Sequence, residues 1–164
     1  MDQELRCREH VAGKADKAFK AALALKRLQG LRPASMRQMF SATVAPVMDY
    51  ASPIWYLAIS DKTLAKLERA QRVAAQAIIG GFRTMGLNTA VMEASISTLR
   101  QRLHEQTLRF WMGIHKLDDS HIHHKLAKYK GRKRFSSPLR KAAALFKNLK
   151  AHQADKIPTV GHEP

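Results

Sequence analysis

Cysteine is nearly absent from the chain, since Cys7 is the one cysteine in 164 residues. A single cysteine excludes an intramolecular disulfide and a zinc site built from several thiolates. No Cys/His/Asn set accompanies Cys7, so we interpret it as a helix-surface thiol and not as a nucleophile. Long apolar runs are also missing, and none approaches the ~18 residues that cross a bilayer. The N-terminal segment MDQELRCREH carries charge where a secretory signal needs an apolar stretch, so we expect an intracellular protein, nuclear or cytoplasmic and not secreted.

Acidic residues are scarce as well, because 13 Asp and Glu stand against 29 Lys and Arg. The formal charge is +16 and the sequence pI is about 10.5. A field of this size attracts polyanions over long distances, so the composition favours nucleic acid, an anionic membrane face or an acidic protein as the partner. The chain length and the 45% apolar fraction fit one ordinary hydrophobic core.

The chain also lacks the carboxylate sets that polymerase and nuclease chemistry requires. Two-metal phosphoryl transfer needs an aspartate pair on a hairpin and a third aspartate upstream. The pair Asp118-Asp119 instead follows a predicted helix, and we interpret it as a helix terminus or loop. Among the nearby histidines, helical spacing would bring His121 and His124 together but turn His123 away, which favours a solvated basic segment over a metal site. We predict no catalytic residue, no metal and no cofactor.

The helix-forming residues predict an all-α fold, a small bundle of four to five helices with a basic, partly flexible C-terminal extension. We expect a helical domain over 1–117, and over 118–164 a basic linker, a C-terminal amphipathic helix and a frayed tail. The predicted helices span 2–29, 35 to the Pro53 region with a bend at Pro46, 61–79 with a stop at Gly80-Gly81, 88–94, 98–117 and 137–151.

Apolar residues at helical spacing predict which faces are buried. In the first helix they form one stripe from Val11 to Leu28, and in the third helix another from Leu64 to Ile78. In the long helix near residue 110 they include Phe110, with Trp111 beside it. Three further aromatic residues occupy an apolar segment that Pro53 constrains, and we expect them to anchor helix packing more than to stack on bases. These residues are Tyr50, Trp55 and Tyr56.

One segment in the middle of the chain resembles a known protein family. It reads MRQMFSATVAPVMDYASPIWY from Met36 to Tyr56. It is similar to a pattern downstream of the polymerase active site in reverse transcriptases of non-LTR retrotransposons, where Arg-Gln-Leu-Tyr precedes Val-x-Pro and then Asp- or Glu-Tyr-Ala-Ser-Pro-Val-Trp. Further pieces follow in the family's order, among them LERAQR from Leu67 and IIGGFRT from Ile78. The resemblance covers about residues 1–115, and Ser137-Pro138-Leu139 is a weaker later match.

The resemblance implies the helical thumb and connection that lie between the polymerase palm and the RNase H domain and hold the primer–template duplex. It therefore implies a fragment of an RNA-directed DNA polymerase polyprotein, with the palm before Met1 and the RNase H domain after Pro164. The palm and RNase H domains of the same polyprotein are then candidate partners. The fragment itself would not be an enzyme, because the catalytic carboxylates are absent from it.

Basic side chains are the predicted binding residues, each as a phosphate contact without base readout. We expect sequence-independent binding of a duplex or an RNA–DNA hybrid and no membrane partner. The residues are Lys62, Lys66, Arg69 and Arg72 in the third helix, Arg102 and Arg109 in the long helix, and, in a group we call the linker cluster, Lys130, Arg132, Lys133 and Arg134. Two alternatives stay open: a protein-interaction module that binds an acidic partner or the missing palm domain, and a decayed retroelement reading frame without selected function.

Overall fold

The computed structural model describes residues 7–28, 30–117, 122 and 137–146, and within these ranges it is helical without any strand. This confirms the predicted all-α class. No helix in the described ranges combines the length and the apolar character that a bilayer crossing requires. The α-helices are α1 (Arg8–Arg27), α2 (Pro33–Met39), α3 (Ala45–Asp49), α4 (Ser52–Trp55), α5 (Asp61–Ile79), α6 (Leu87–Glu93), α7 (Leu99–His115) and α8 (Pro138–Leu145).

The chain divides into two compact units, one ending at Leu103 and the other beginning at His104, so that α7 contributes to both. Several sequence predictions fall outside the described residues. They are the linker cluster, the Asp118-Asp119 pair, the three histidines His121, His123 and His124, and the C-terminal tail.

The first unit is built on the packing of α1 against α5. Small alanines on both inner faces let the two backbones approach closely, and larger aliphatic residues fill the space at the ends. The buried positions follow the predicted stripes: Val11, Ala15, Ala18, Ala22 and Leu25 on α1, and Leu64, Leu67, Ala70, Ala74 and Ile78 on α5. The stripe is one position shorter than predicted, because α1 ends at Arg27 and Leu28 is 41% exposed.

The helical segment after α1 begins earlier than predicted, but its α-helical hydrogen bonding is interrupted at Pro46, where the sequence predicts a bend. The helix begins at Pro33 and not at Ser35, because proline with its preset φ is favoured in the first helical turn. A π-helical turn, Phe40–Val44, joins α2 to α3. Pro46 has no N–H to donate to the carbonyl four residues back, and the N–H of Ala45 reaches back five residues to the Phe40 carbonyl. Proline thus interrupts the α-helical ladder while the chain continues as a helix.

Glycine ends α5 at the predicted place. Gly80 has φ +64°, a left-handed conformation that glycine adopts without strain, and the Gly81 N–H donates to the Gln76 carbonyl over 2.9 Å. The buried side chain of Gln76 then holds the turn that follows, since its Nε2 donates to the carbonyls of Arg83 (3.3 Å) and Met85 (3.0 Å). The turn after α5 is therefore fixed to the helix by both main-chain and side-chain hydrogen bonds.

The second unit contains the rest of α7 together with α8. Trp111 and Ile114 are buried, whereas Phe110, which the sequence predicts as buried, is 40% exposed. In α8 the Ser137 hydroxyl accepts the N–H of Arg140 over 3.2 Å, a serine N-cap at the predicted helix start.

Candidate nucleic-acid interface

The segment that carries the family resemblance is held by an ion pair to α7. Asp49 ends α3, and its carboxylate accepts hydrogen bonds from Arg102 Nε to Oδ2 (2.9 Å) and from Nη2 to Oδ1 (3.2 Å). The third nitrogen of the guanidinium, Nη1, donates to the Ser97 carbonyl over 2.9 Å, and its carbon lies 5.5 Å from the Phe40 ring centroid. The sequence predicts Arg102 as a phosphate contact, but its side chain is only 15% exposed. Its donors are directed into the protein, and we leave it out of the candidate interface.

Two of the aromatic residues of this segment, Trp55 and Tyr50, differ in exposure. Trp55 is 1% exposed, which confirms its predicted place in the core, and its Nε1 donates to the Tyr50 carbonyl over 2.8 Å. Tyr50 is 62% exposed, so the prediction that it is a core anchor is wrong. In the turn between the two residues, Ala51 takes a left-handed φ of 56°. The Lys14 ammonium lies 4.1 Å from the Tyr50 ring centroid, a cation–π contact.

A groove of about 270 Å³ between α1, α5 and the turn after α5 collects positive charge. We call it the basic groove. Four cations line it, from three separate segments of the chain, together with apolar side chains and one amide. None of the eight described lining residues is acidic. They are Phe19, Leu23, Lys26, Arg69, Arg72, Val73, Gln76 and Arg83.

The cations of the basic groove are positioned by the elements that carry them. The Arg69 guanidinium carbon lies 5.2 Å from the Phe19 ring centroid. This cation–π contact between α5 and α1 positions the guanidinium group. Arg83 belongs to the turn that Gln76 fixes, and Lys26 lies in the last turn of α1. The groove therefore presents guanidinium groups, which bind phosphate oxygens in a bidentate geometry, beside a lysine that acts as a point charge.

The acidic residues of α5 do not neutralise this face. Both of them, Asp61 and Glu68, are paired with Arg100 from α7, through Nη2 to Asp61 Oδ1 (2.9 Å) and Nε to Glu68 Oε1 (3.0 Å). The hydrogen bond to Asp61 is the largest of the contacts that raise the pKa of Arg100 above its usual range. Because both carboxylates of α5 pair with Arg100, neither of them neutralises Arg69 or Arg72 in the basic groove.

The structure brings together only some of the predicted binding residues. Arg69 and Arg72 lie in the basic groove, and Lys62 and Lys66 are exposed on the preceding turns of the same helix. Arg109 is exposed on α7 in the second unit. Sequence reasoning did not select Lys26 and Arg83 for the groove. The spacing of Phe19, Leu23 and Lys26 on one face of α1 was a usable signal for Lys26, but no local pattern marks Arg83.

Other cavities in the described residues collect fewer cations than the basic groove. One of about 610 Å³, along α2 and the π-helical turn, has Arg37 as the single cation among its described lining residues. A second cavity of about 250 Å³ is lined by Glu68 and Arg100 among others, so it presents both signs of charge. No group of three or more His, Cys, Asp and Glu side chains within the described ranges is arranged to hold a metal ion. Comparison with known proteins adds no constraint, since no protein-family model, curated protein or solved structure matches the chain.

Proposed function

We propose that the chain is a non-catalytic nucleic-acid-binding domain whose basic groove receives the sugar–phosphate backbone of one strand. The observation that carries the proposal is the convergence of Lys26, Arg69, Arg72 and Arg83 in one groove, without an acidic residue among its described lining. The net charge of +16 supports it, because a field of that size attracts a polyanion before contact. With the family resemblance, the proposal extends to a fragment of a retroelement reverse transcriptase that holds the primer–template duplex.

The expected binding mode is electrostatic. A protein that neutralises phosphates releases condensed counterions, so the logarithm of the affinity falls with the logarithm of the salt concentration, by about 0.9 per contact on a DNA duplex and about 0.7 on a single strand. Four groove cations then contribute a slope of about −3.6 on a duplex, to which the exposed Lys62 and Lys66 add. Phosphate contacts carry no base information, so unrelated sequences are expected to bind alike.

A salt titration by fluorescence anisotropy on two unrelated duplexes tests the proposal. The double variant Arg69→Gln/Arg72→Gln should flatten the slope by about 1.8, which is two contacts at 0.9 each, and equally on both duplexes. The matched control is Lys17→Gln/Lys20→Gln, which removes the same charge from exposed positions of α1 that do not line the groove. An equal change of slope in the control would contradict the groove as the site. If neither the duplexes nor a single strand of the same length binds at low salt, the proposal fails.

A further inference from the structure

Phe82 is the most exposed large apolar residue in the described part of the chain, at 83%. It lies in the turn after α5, immediately before Arg83, which lines the basic groove. Consecutive Cα atoms are about 3.8 Å apart, so the Phe82 side chain leaves the backbone at the position next to a cation of the groove. An exposed aromatic side chain next to a cluster of cations is the combination that single-strand-binding surfaces use, because the ring stacks on bases while the cations follow the backbone.

The backbone that carries Phe82 is held in place. Its carbonyl accepts the N–H of Met85 over 3.1 Å, and the Gln76 side chain donates to the carbonyls of Arg83 and Met85 on its C-terminal side. On the N-terminal side, a Cβ at Gly81 would stand 3.0 Å from two side-chain carbons of Ile79, so the chain runs close to the end of α5. A ring presented from a fixed turn loses little conformational entropy when a flat ligand stacks on it.

We propose that Phe82 stacks on an unpaired base of the strand whose backbone lies in the basic groove. The ligand class is then a single strand, or a duplex with a single-stranded segment at its end. Inside a duplex each base is already stacked on its neighbours, whereas an unpaired base offers a free face. Tyr50, which is also strongly exposed among the described aromatic residues, has the Lys14 ammonium 4.1 Å from its centroid and does not line the groove. This inference rests on the proposed function and names the substrate of the same groove.

The test compares three ligands by fluorescence anisotropy with the full chain: an oligothymidylate single strand, a blunt duplex, and the same duplex with a single-stranded overhang. Phe82→Ala should weaken binding of the single strand and of the overhang duplex by about 5-fold to 150-fold, the equivalent of the 1–3 kcal/mol that stacking on one base contributes. Binding of the blunt duplex and the salt slope on every ligand should stay unchanged, because no charge is removed. Phe82→Tyr, which keeps the ring, should bind as the wild type does.

Two control variants, Met92→Ala and Arg69→Gln/Arg72→Gln, distinguish the possible outcomes. Met92→Ala removes another exposed apolar side chain, 76% exposed and outside the groove, and should change nothing. If Phe82→Ala binds the single strand as tightly as the wild type while Arg69→Gln/Arg72→Gln still flattens the slope, the stacking role is refuted and the proposed function stands. An equal loss on the blunt duplex likewise overturns the stacking role. If the wild type binds none of the three ligands at low salt, both proposals fail.

Discussion

Removing the carboxylate of Asp49 should destabilise the first unit by about 3 kcal/mol. Breaking a buried ion pair by deleting one partner costs about 3–5 kcal/mol, because the remaining charge is left without compensation. The side chains of Asp49 and Arg102 are 8% and 15% exposed, so the pair is nearly but not fully removed from water. Arg102 also keeps its hydrogen bond to the Ser97 carbonyl in the variant, and we therefore expect the lower end of the range.

A double-mutant cycle separates the pair from the other contacts of each residue. Arg102→Met keeps an extended apolar side chain without charge, and Asp49→Ala/Arg102→Met leaves neither charge buried alone. The double variant should be less destabilised than the sum of the two single variants, by about 2 kcal/mol, within the range for residues in direct contact. The matched control Asp16→Ala removes an exposed carboxylate on α1 and should change the stability by less than about 0.5 kcal/mol.

Urea unfolding followed by tryptophan fluorescence measures these differences. Trp55 is 1% exposed, and its indole donates to the Tyr50 carbonyl, one residue from Asp49, so its emission reports on this region. The chain has 2 tryptophans, so the measurements use a Trp111→Phe background in which Trp55 is the single tryptophan. A cost of less than about 0.5 kcal/mol for Asp49→Ala, with additive behaviour in the double variant, would refute the ion pair as a stabilising contact.

Four further outcomes are expected. Trp55→Ala should destabilise by about 3–5 kcal/mol, and Trp55→Phe should cost less because it keeps a ring, although both changes remove the hydrogen bond to the Tyr50 carbonyl, which contributes about 1 kcal/mol. Equal losses for the two variants in thermal melts would show that burial of the ring is unimportant. Gly80→Ala should cost about 1 kcal/mol and Gly80→Asn less, as judged by urea midpoints, since φ is positive there. Replacing all four residues of the linker cluster with Ala should flatten the salt slope on duplexes by about three to four units, and an unchanged slope would remove that cluster from the interface. Primer-extension and nuclease assays with magnesium or manganese should both be negative, and activity lost on changing Asp118 or Asp119 would contradict the absence of catalytic carboxylates.

Local patterns predict the helices of the first unit well, because each depends on residues close in sequence. The apolar spacing of α1 and α5 predicts their buried faces, and Gly80-Gly81 predicts the end of α5, since a left-handed residue after a helix favours glycine. The predicted start of the second helix at residue 35 is two residues late, because proline is favoured in the first helical turn and the helix begins at Pro33.

Local sequence patterns do not predict contacts between segments that are distant in the chain. The sequence offers Arg102 as one of several cations at helical spacing, and only the fold brings Asp49 to it. The basic groove likewise depends on α1 packing against α5 and on the turn that carries Arg83, which no local pattern relates to Lys26. The turn after Tyr50 is also hard to predict from sequence, because alanine rarely takes the left-handed conformation that Ala51 has there.

The π-helical turn before Pro46 determines which side chains of this segment face the core. Met36, Phe40, Val44 and Met48 are all buried, and they recur every fourth residue. In an ideal α-helix of 3.6 residues per turn, a four-residue repeat advances by about 40° at each step, so three steps would rotate the last side chain by about 120° away from the first. The wider turn advances less per residue and offsets that rotation, which keeps all four side chains on the core side. A single-residue deletion within Ser41–Thr43 would place Met48 eleven positions after Met36, a spacing that an ordinary α-helix keeps on one face to within about 20°. We therefore expect that deletion to replace the π-helical turn with a regular α-helical turn and to keep the four side chains in the core.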